Sequence, residues 1–194
     1  FIFAGAFNPQ DLISDATISP FNIAKDLILS DFSFEHVAKL VQLMNITDKQ
    51  VEELSSHIFY WTSGQPYLTQ FVCDYLSKIS NSTLCKNNVD KAITHLINSD
   101  TNHLPKIARL LDNNERLKNY LPRVQDNQIL FNLSSTRHFN LKLIGVMKAD
   151  QLGFCKIRNR IYEIVFKSYL NDNKQVTEET HMGNSFFQDG YALI

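Results

Sequence analysis

The sequence predicts a mainly α-helical fold, with a helical bundle followed by a winged-helix domain. Two observations support this prediction. Apolar residues recur at spacings of three and four through most of residues 33–124, which is typical of helices that bury one face. Two short apolar runs then flank a glycine-ended turn within residues 145–157, which indicates a β-hairpin. Helices followed by a hairpin and a further helix are the order of elements in a winged-helix unit.

The first helical block, residues 25–103, contains four predicted amphipathic helices. Their starts carry N-cap side chains or a proline, and glycine follows the second helix, as expected of helix ends. The expected bounds are Ser33 to Met44, Thr47 or Asp48 to Gly64, Pro66 to Ile79, and Asn88 to Asn98. The positions expected to face the bundle core are Phe34, Val37, Leu40, Val41, Met44, Val51, Leu54, Ile58, Phe59, Leu68, Phe71, Val72, Tyr75, Leu76, Ile79, Val89, Ala92, Ile93, Leu96 and Ile97.

The second block, residues 104–170, has shorter predicted elements. A turn at residues 112–114 separates its first two helices, and the segment 128–133 fits a short strand or a loop. The other expected elements are helices at Leu104–Leu111, Glu115–Val124 and Phe139–Ile144, the hairpin, and a last helix from Asn159 that buries Ile161, Ile164, Val165, Phe166 and Tyr169. The polar, acidic residues 171–194 are expected to form a linker or tail.

Charge is unevenly distributed although the net charge is only −1. Residues 1–103 carry 6 Lys/Arg against 11 Asp/Glu, residues 104–170 carry 12 against 5, and residues 171–194 carry 1 against 4. This change of sign supports a boundary near residues 100–104. It also gives the second block a basic surface, which could face phosphate or an acidic neighbour.

Composition excludes several classes of protein. The chain has 194 residues, 44% of them hydrophobic, which is enough for one or two small cores. No segment approaches the roughly 18 consecutive apolar residues of a membrane span, and the first residues lack the features of a signal peptide. The three cysteines are far apart, so neither a disulfide framework nor a zinc site is indicated, and we expect a cytoplasmic protein without a membrane partner.

No ordinary catalytic motif is present. The sequence lacks GxSxG, HExxH and GxxxxGK[ST], and no two of the six histidines have ligand spacing, so we predict no catalytic residues and no metal site. The chain begins Phe1-Ile-Phe-Ala-Gly5 without methionine, directly in a predicted buried strand. We therefore expect it to be part of a longer protein.

Five short motifs occur in a distinctive order: an apolar strand ending at Gly5 with a following Pro9-Gln-Asp-Leu-Ile13, then Pro20-Phe-Asn-Ile23, Asp31-Phe32, Gly64-Gln-Pro-Tyr-Leu68 and Arg158-Asn-Arg-Ile-Tyr162. Together they resemble the C-terminal half of the AAA-like ATPase module of STAND signalling ATPases, the class that includes NB-ARC and NACHT switches, and bacterial members in particular. The resemblance covers roughly residues 1–170. It implies the end of an α/β P-loop NTPase core at residues 1–24, including one remnant strand, then a helical lid at 25–103, a winged helix at 104–170, and a linker at 171–194.

The resemblance also implies an adenine-nucleotide site. In such switches the GxP corner of the lid packs over the base and sugar, which assigns Gly64, Gln65, Pro66 and Tyr67 to one wall of the pocket, with Pro20 and Asn22 nearby. The winged helix would contact the phosphates through Arg158, Asn159 and Arg160, at a helix start that favours anions. NB-ARC relatives have an MHD motif at that place, and this chain has Arg-Asn-Arg instead. The corner could also serve packing alone, and Asn159 could be only an N-cap.

Function is therefore predicted as the lid and winged-helix part of a nucleotide-dependent signalling switch. ATP or ADP with Mg²⁺ would bind the parent protein, whose upstream P-loop domain is the expected partner, together with self-association or an effector domain. Whether the parent hydrolyses ATP stays open, because the glycine-rich loop, lysine and acid that phosphoryl transfer requires are absent here. The alternatives are a winged-helix DNA-binding regulator contacting DNA through Arg137 and Lys142, and a protein-interaction scaffold without nucleotide.

Overall fold

The computed structural model describes residues 30–99, 102–125, 129–132 and 134–167 of the chain. The predicted strand at residues 1–5, Pro20, Asn22, Tyr169 and the tail at 171–194 lie outside these residues. Over the described part, the protein is mainly helical with one small two-stranded sheet, as the sequence predicts.

Four helices form the first unit, which we call the N-terminal bundle. They are α1 (Phe34–Gln42), α2 (Asp48–Thr62), α3 (Pro66–Ser77) and α4 (Lys86–Ile97), with a 3₁₀ turn at Asn81–Thr83. The predicted caps are present: the Ser33 side chain accepts from the His36 N–H, and the Thr47 side chain accepts from the Gln50 N–H. Helix α2 packs against the other three, and the fully buried residues include Val37, Val41, Leu54, Ile58, Leu68, Val72, Leu76, Val89 and Leu96.

The C-terminal unit contains shorter helices and the hairpin. Its elements are α5 (Leu104–Asp112), α6 (Glu115–Lys118), α7 (Leu121–Gln125), α8 (Thr136–Leu143), β1 (Met147–Ala149), β2 (Cys155–Ile157) and a last helix, α9, described over residues 160–167. Strands β1 and β2 are antiparallel, with Met147 opposite Ile157. Asp150 holds the turn, because its carboxylate accepts from the N–H groups of Leu152 and Phe154.

Three sequence predictions need correction here. The single helix expected at 115–124 is two short helices, and Pro122 explains the break, since proline is tolerated only in the first turn of a helix. Ile164 was expected to be buried in α9 but is 42% exposed. The buried face centres on Ile161, Tyr162 and Phe166, and a rotation of about 100° per residue carries position 164 away from it. Phe34, at the start of α1, is also 42% exposed.

The segment at residues 129–131 runs beside β2. Its backbone is held there by hydrogen bonds from the Phe131 N–H to the Gly153 carbonyl and from the Cys155 N–H to the Ile129 carbonyl, at 2.8 and 2.7 Å. Leu130 forms an isolated antiparallel bridge with Phe154. The sequence left open whether this segment is a short strand or a loop. It is intermediate, because it pairs with the neighbouring chain segment through a single β-bridge. No helix in the described part of the chain has the length and apolar character needed to cross a membrane.

Candidate functional site at the joint between the two units

The sequence GQPY at residues 64–67, which we call the corner, connects α2 to α3. Helix α2 ends at Thr62 and is followed by its C-cap residue Ser63, whose φ of 48° is left-handed, and then by Gly64 with a φ of 75°. Helix α3 then begins with Pro66 in its first turn, and the Gln65 side chain accepts the Leu68 N–H at 2.6 Å. The caps at the end of α2 and at the start of α3 supply hydrogen bonds to terminal backbone N–H and C=O groups, which would otherwise be unpaired at such a tight turn between helices.

Gly64 also allows a close approach of another segment. The Phe32 N–H donates to the Gly64 carbonyl at 2.8 Å. A Cβ added at Gly64 would lie 1.9 Å from the Phe32 carbonyl oxygen, so only glycine fits there. The segment before α1 is thus held close to Gly64, and this contact fixes the position of Asp31.

Asp31 connects the bundle to the C-terminal unit. Its carboxylate accepts hydrogen bonds from Arg158 Nη2 at 2.5 Å and from Arg158 Nε at 3.3 Å, which is a two-point ion pair. Lys148 Nζ lies 3.9 Å from the same carboxylate. The three side chains are 22% to 31% exposed, so they are partly shielded from solvent. Two cations therefore surround one carboxylate, and the cluster carries a net positive charge.

Asn159 is buried, with only 2% of its surface exposed. Its Oδ1 accepts the Tyr162 N–H at 3.0 Å, so the predicted N-cap role is present. Among the described residues its Nδ2 has no hydrogen-bond partner. A buried amide donor without a partner is unfavourable by about 1–3 kcal/mol, so an acceptor near this position would be stabilising.

Arg160 lies across the aromatic end of α2. Its guanidinium carbon is 4.8 Å from the centre of the Tyr60 ring and 5.7 Å from that of Trp61. Trp61 in turn donates its indole N–H to Asp90 at 2.9 Å, and His57 contacts the same carboxylate at 2.7 Å. Arg160 therefore makes a cation–π contact that ties α9 to the bundle.

A line of aromatic side chains forms a further link. The Tyr67 and His103 rings are 4.6 Å apart edge to face, and His103 Nε2 is 2.5 Å from the Tyr162 hydroxyl. Burial, followed by the charges of Arg158 and Lys106, lowers the pKa of His103. Burial also raises the pKa of Tyr162 to about 12. Both groups are therefore uncharged at neutral pH, which suits an interior contact.

The structure thus brings the corner and the start of α9 together, through Asp31, His103 and the rings of α2. We call these contacts the joint. Of the predicted nucleotide-site residues, Tyr67 is 43% exposed, while Gly64 and Asn159 are buried. Gln65, Arg158 and Arg160 make the contacts described above, and Pro66 begins α3. Pro20 and Asn22 lie outside the described residues.

Sequence reasoning assigned no role to Asp31, His103 or Tyr162. In the sequence Asp31 stands out only as part of the Asp31-Phe32 motif. Its ion-pair partner Arg158 is 127 residues away, so no local pattern could reveal the contact. Within the described ranges, no group of three or more His, Cys, Asp or Glu side chains is arranged to hold a metal ion.

Comparison with known sequences identifies the family. The sequence profile described as AAA-like domain matches residues 10–168, and the chain therefore belongs to the AAA-like domain family.

A relative from Synechocystis sp., an uncharacterized WD repeat-containing protein, is 33% identical over 78 residues. That match covers 40% of this chain and only 6% of the relative's length, so the chain spans a small part of that protein. No solved structure matches the chain significantly.

Proposed function

We propose that this chain is the helical lid and winged helix of a STAND-type AAA-like ATPase, and that its joint closes over an adenine nucleotide as part of a signalling switch. The N-terminal bundle would be the lid, and α5–α9 with the hairpin would be the winged helix. A P-loop domain, with Mg²⁺ bound there, would complete the site. The observation that carries the proposal is the meeting of the corner with the start of α9 through Asp31.

The corner offers suitable chemistry for a base and sugar. Pro66 presents an apolar ring at the start of α3, and Tyr67 beside it is an exposed aromatic ring. Flat apolar surfaces of this kind pack well against a planar base. Gly64 is already committed to the contact with Phe32, so its role in the proposed site is to keep the corner in place.

The start of α9 offers suitable chemistry for phosphate. Arg158 is a two-point donor, and Asn159 has a buried amide donor without a partner among the described residues. Arg158 donates to the carboxylate of Asp31 here, and a phosphate would accept the same donors. We therefore propose that nucleotide phosphate and Asp31 compete for, or share, Arg158.

The difference between sharing and competition supplies a physical basis for switching. ADP would share Arg158 with Asp31 and so stabilise the arrangement in which α9 meets the corner. ATP, with one more phosphate group, would displace Asp31 from Arg158 and so favour an arrangement with the joint open. A ligand shifts such an equilibrium only by the ratio of its affinities for the two arrangements. Opening would expose surfaces for self-association or for an effector domain.

The test is ADP binding by the protein that includes the proposed P-loop domain, measured by titration calorimetry. We expect Pro66→Ala and Arg158→Ala each to weaken ADP binding by at least about fivefold, since each removes a direct contact. Arg109→Ala is the matched control, because Arg109 is an exposed arginine on α5 that makes none of the joint contacts. Unchanged ADP affinity in both joint variants would contradict the proposal.

A further inference from the structure

A cleft in the C-terminal unit lies apart from the joint. Its volume is about 840 Å³, and α6, α7 and the start of α8 surround it. It is lined by Asn114, Arg116, Leu117, Asn119, Tyr120, Arg123, Ser135, Thr136, Arg137 and Asn140. A cleft of this volume falls in the range of roughly 300–1,000 Å³ that holds small ligands.

The lining of the cleft is strongly basic. It includes three arginines, Arg116, Arg123 and Arg137, and no acidic residue among those that the structure describes there. Within the described ranges, none of the three forms an ion pair with a carboxylate. Three like charges around one concavity repel one another, so an anion bound between them would remove an unfavourable interaction.

Two of the arginines are held in position by a buried aromatic group. The guanidinium carbons of Arg137 and Arg123 lie 4.9 and 5.5 Å from the centre of the Tyr120 ring. Tyr120 is only 7% exposed. The ring face is therefore used by cations, which leaves the cleft little aromatic surface for an apolar ligand.

The Tyr120 hydroxyl is held by a hydrogen bond to the buried His138 side chain. The Asn132 N–H donates to His138 Nδ1 at 2.9 Å, so Nδ1 is an acceptor and the proton of the neutral ring is on Nε2. His138 Nε2 then donates to the Tyr120 hydroxyl oxygen at 2.5 Å. Burial and the charge of Arg137 lower the pKa of His138, which agrees with a neutral ring. These two hydrogen bonds fix the orientation of the Tyr120 ring, which Arg123 and Arg137 contact, before any ligand binds.

Neutral donors complete the lining. Thr136 begins α8, an eight-residue helix whose first turn points N–H groups outward, and Asn140 and Asn119 contribute side-chain amides. Asn119 also lies 3.5 Å from the Glu115 carboxylate, which is outside the lining. The cleft therefore combines three guanidinium groups with several hydrogen-bond donors, and Leu117 is its main apolar contact.

We infer that this cleft binds a compact, multiply charged phosphate ligand, of the chemical class of a di- or triphosphate. Guanidinium groups match the geometry of phosphate oxygens and donate to them in pairs. The concave shape favours a small ligand over a duplex, whose major groove receives a protruding helix. This inference does not depend on the proposed function of the joint, because the two sites share no residue.

The experiment is a calorimetric titration of the 194-residue chain with inorganic tripolyphosphate at constant ionic strength. We expect Arg116→Gln and Arg137→Gln each to weaken binding by about tenfold, since each removes a charge-assisted contact. Arg109→Gln removes the same charge from an exposed position outside the cleft. It should change the affinity by less than about twofold, because salt screens the attraction between the ligand and a distant surface charge. The fluorescence of Trp61 during urea unfolding checks that each variant is folded. If Arg137→Gln is unstable, Arg116→Gln still tests the inference, because Arg116 makes no cation–π contact within the described part of the chain.

Four results would overturn the inference. One is absence of saturable tripolyphosphate binding, and another is equal weakening by Arg109→Gln, which would indicate a general charge effect. A third is citrate binding as tight as that of tripolyphosphate, which would change the ligand class to polycarboxylates. The last is tighter binding of duplex DNA that depends on the same arginines, which would make this surface a nucleic-acid interface, as the DNA-binding alternative predicts.

Discussion

Replacing Gly64 by alanine tests whether the corner holds Asp31 in place. Gly64 has a φ of 75°, a conformation that costs an alanine about 1 kcal/mol or more. The new Cβ would also lie 1.9 Å from the Phe32 carbonyl oxygen. The segment carrying Phe32 would have to move by roughly 1.5 Å to reach ordinary contact distance. That movement breaks the hydrogen bond from the Phe32 N–H to the Gly64 carbonyl, which lowers the free energy of unfolding by about 1 kcal/mol more.

We therefore expect Gly64→Ala to lower the free energy of unfolding by about 2 kcal/mol or more, from the backbone strain and the lost hydrogen bond together. Gly153→Ala is the matched control, because its φ of 83° is equally strained but an added Cβ would contact nothing within 4 Å. That variant should lose only about 1 kcal/mol, the backbone strain alone. The difference between the two variants measures the close approach at the corner.

The assay is urea unfolding followed by the fluorescence of Trp61, which is the one tryptophan of the chain. Trp61 lies in α2 close to the corner, and its ring is in contact with Arg160, so its emission reports on the joint and the bundle. Equal destabilisation by Gly64→Ala and Gly153→Ala would refute the claim that the corner glycine is required by the contact with Phe32.

Three further predictions follow from the described contacts. The Asp31→Asn and Arg158→Gln variants, combined in a double-mutant cycle, should show a coupling free energy of about 1 kcal/mol that decreases at high salt, and additive effects would refute the ion pair. Stability should fall as the pH decreases through about 6.5, because the lowered pKa values of His103 and His138 mean that the unfolded chain takes up protons that the folded chain does not. His138→Gln should reduce the slope of the urea midpoint against pH in that range, leaving the part due to His103, and an unchanged slope would contradict the role of His138. With a thiol reagent at pH 7.5, exposed Cys85 should react first, because burial raises the pKa of Cys73 to about 11, and equal rates would contradict this order.

Local features of the chain were predictable from the sequence. The helices of the N-terminal bundle follow from apolar periodicity, and their starts from Ser33, Thr47 and Pro66, since caps act within one helical turn. The prediction of a single helix at 115–124 was wrong, because the helix-breaking Pro122 divides this segment into two short helices.

Contacts between distant segments could not be predicted in the same way. The Asp31–Arg158 ion pair, the ring contact of Arg160 and the His103–Tyr162 hydrogen bond all join residues far apart in the sequence. The charge count did indicate a basic second block. It could not show that three of the arginines line one cleft, because their positions depend on how α6, α7 and α8 pack.

The most direct test of the central claim is to locate the adenine base on the chain. The protein including the proposed P-loop domain would be photolabelled with an azido-adenine derivative of ADP, digested with trypsin and analysed by mass spectrometry. Cleavage after Lys49 and Lys78 releases the corner in one peptide, residues 50–78. The account predicts that label within residues 31–167 concentrates in this peptide, that excess ADP prevents it, and that Pro66→Ala reduces it. Label that is absent from residues 50–78, while ADP still binds and protects other peptides, would contradict the account.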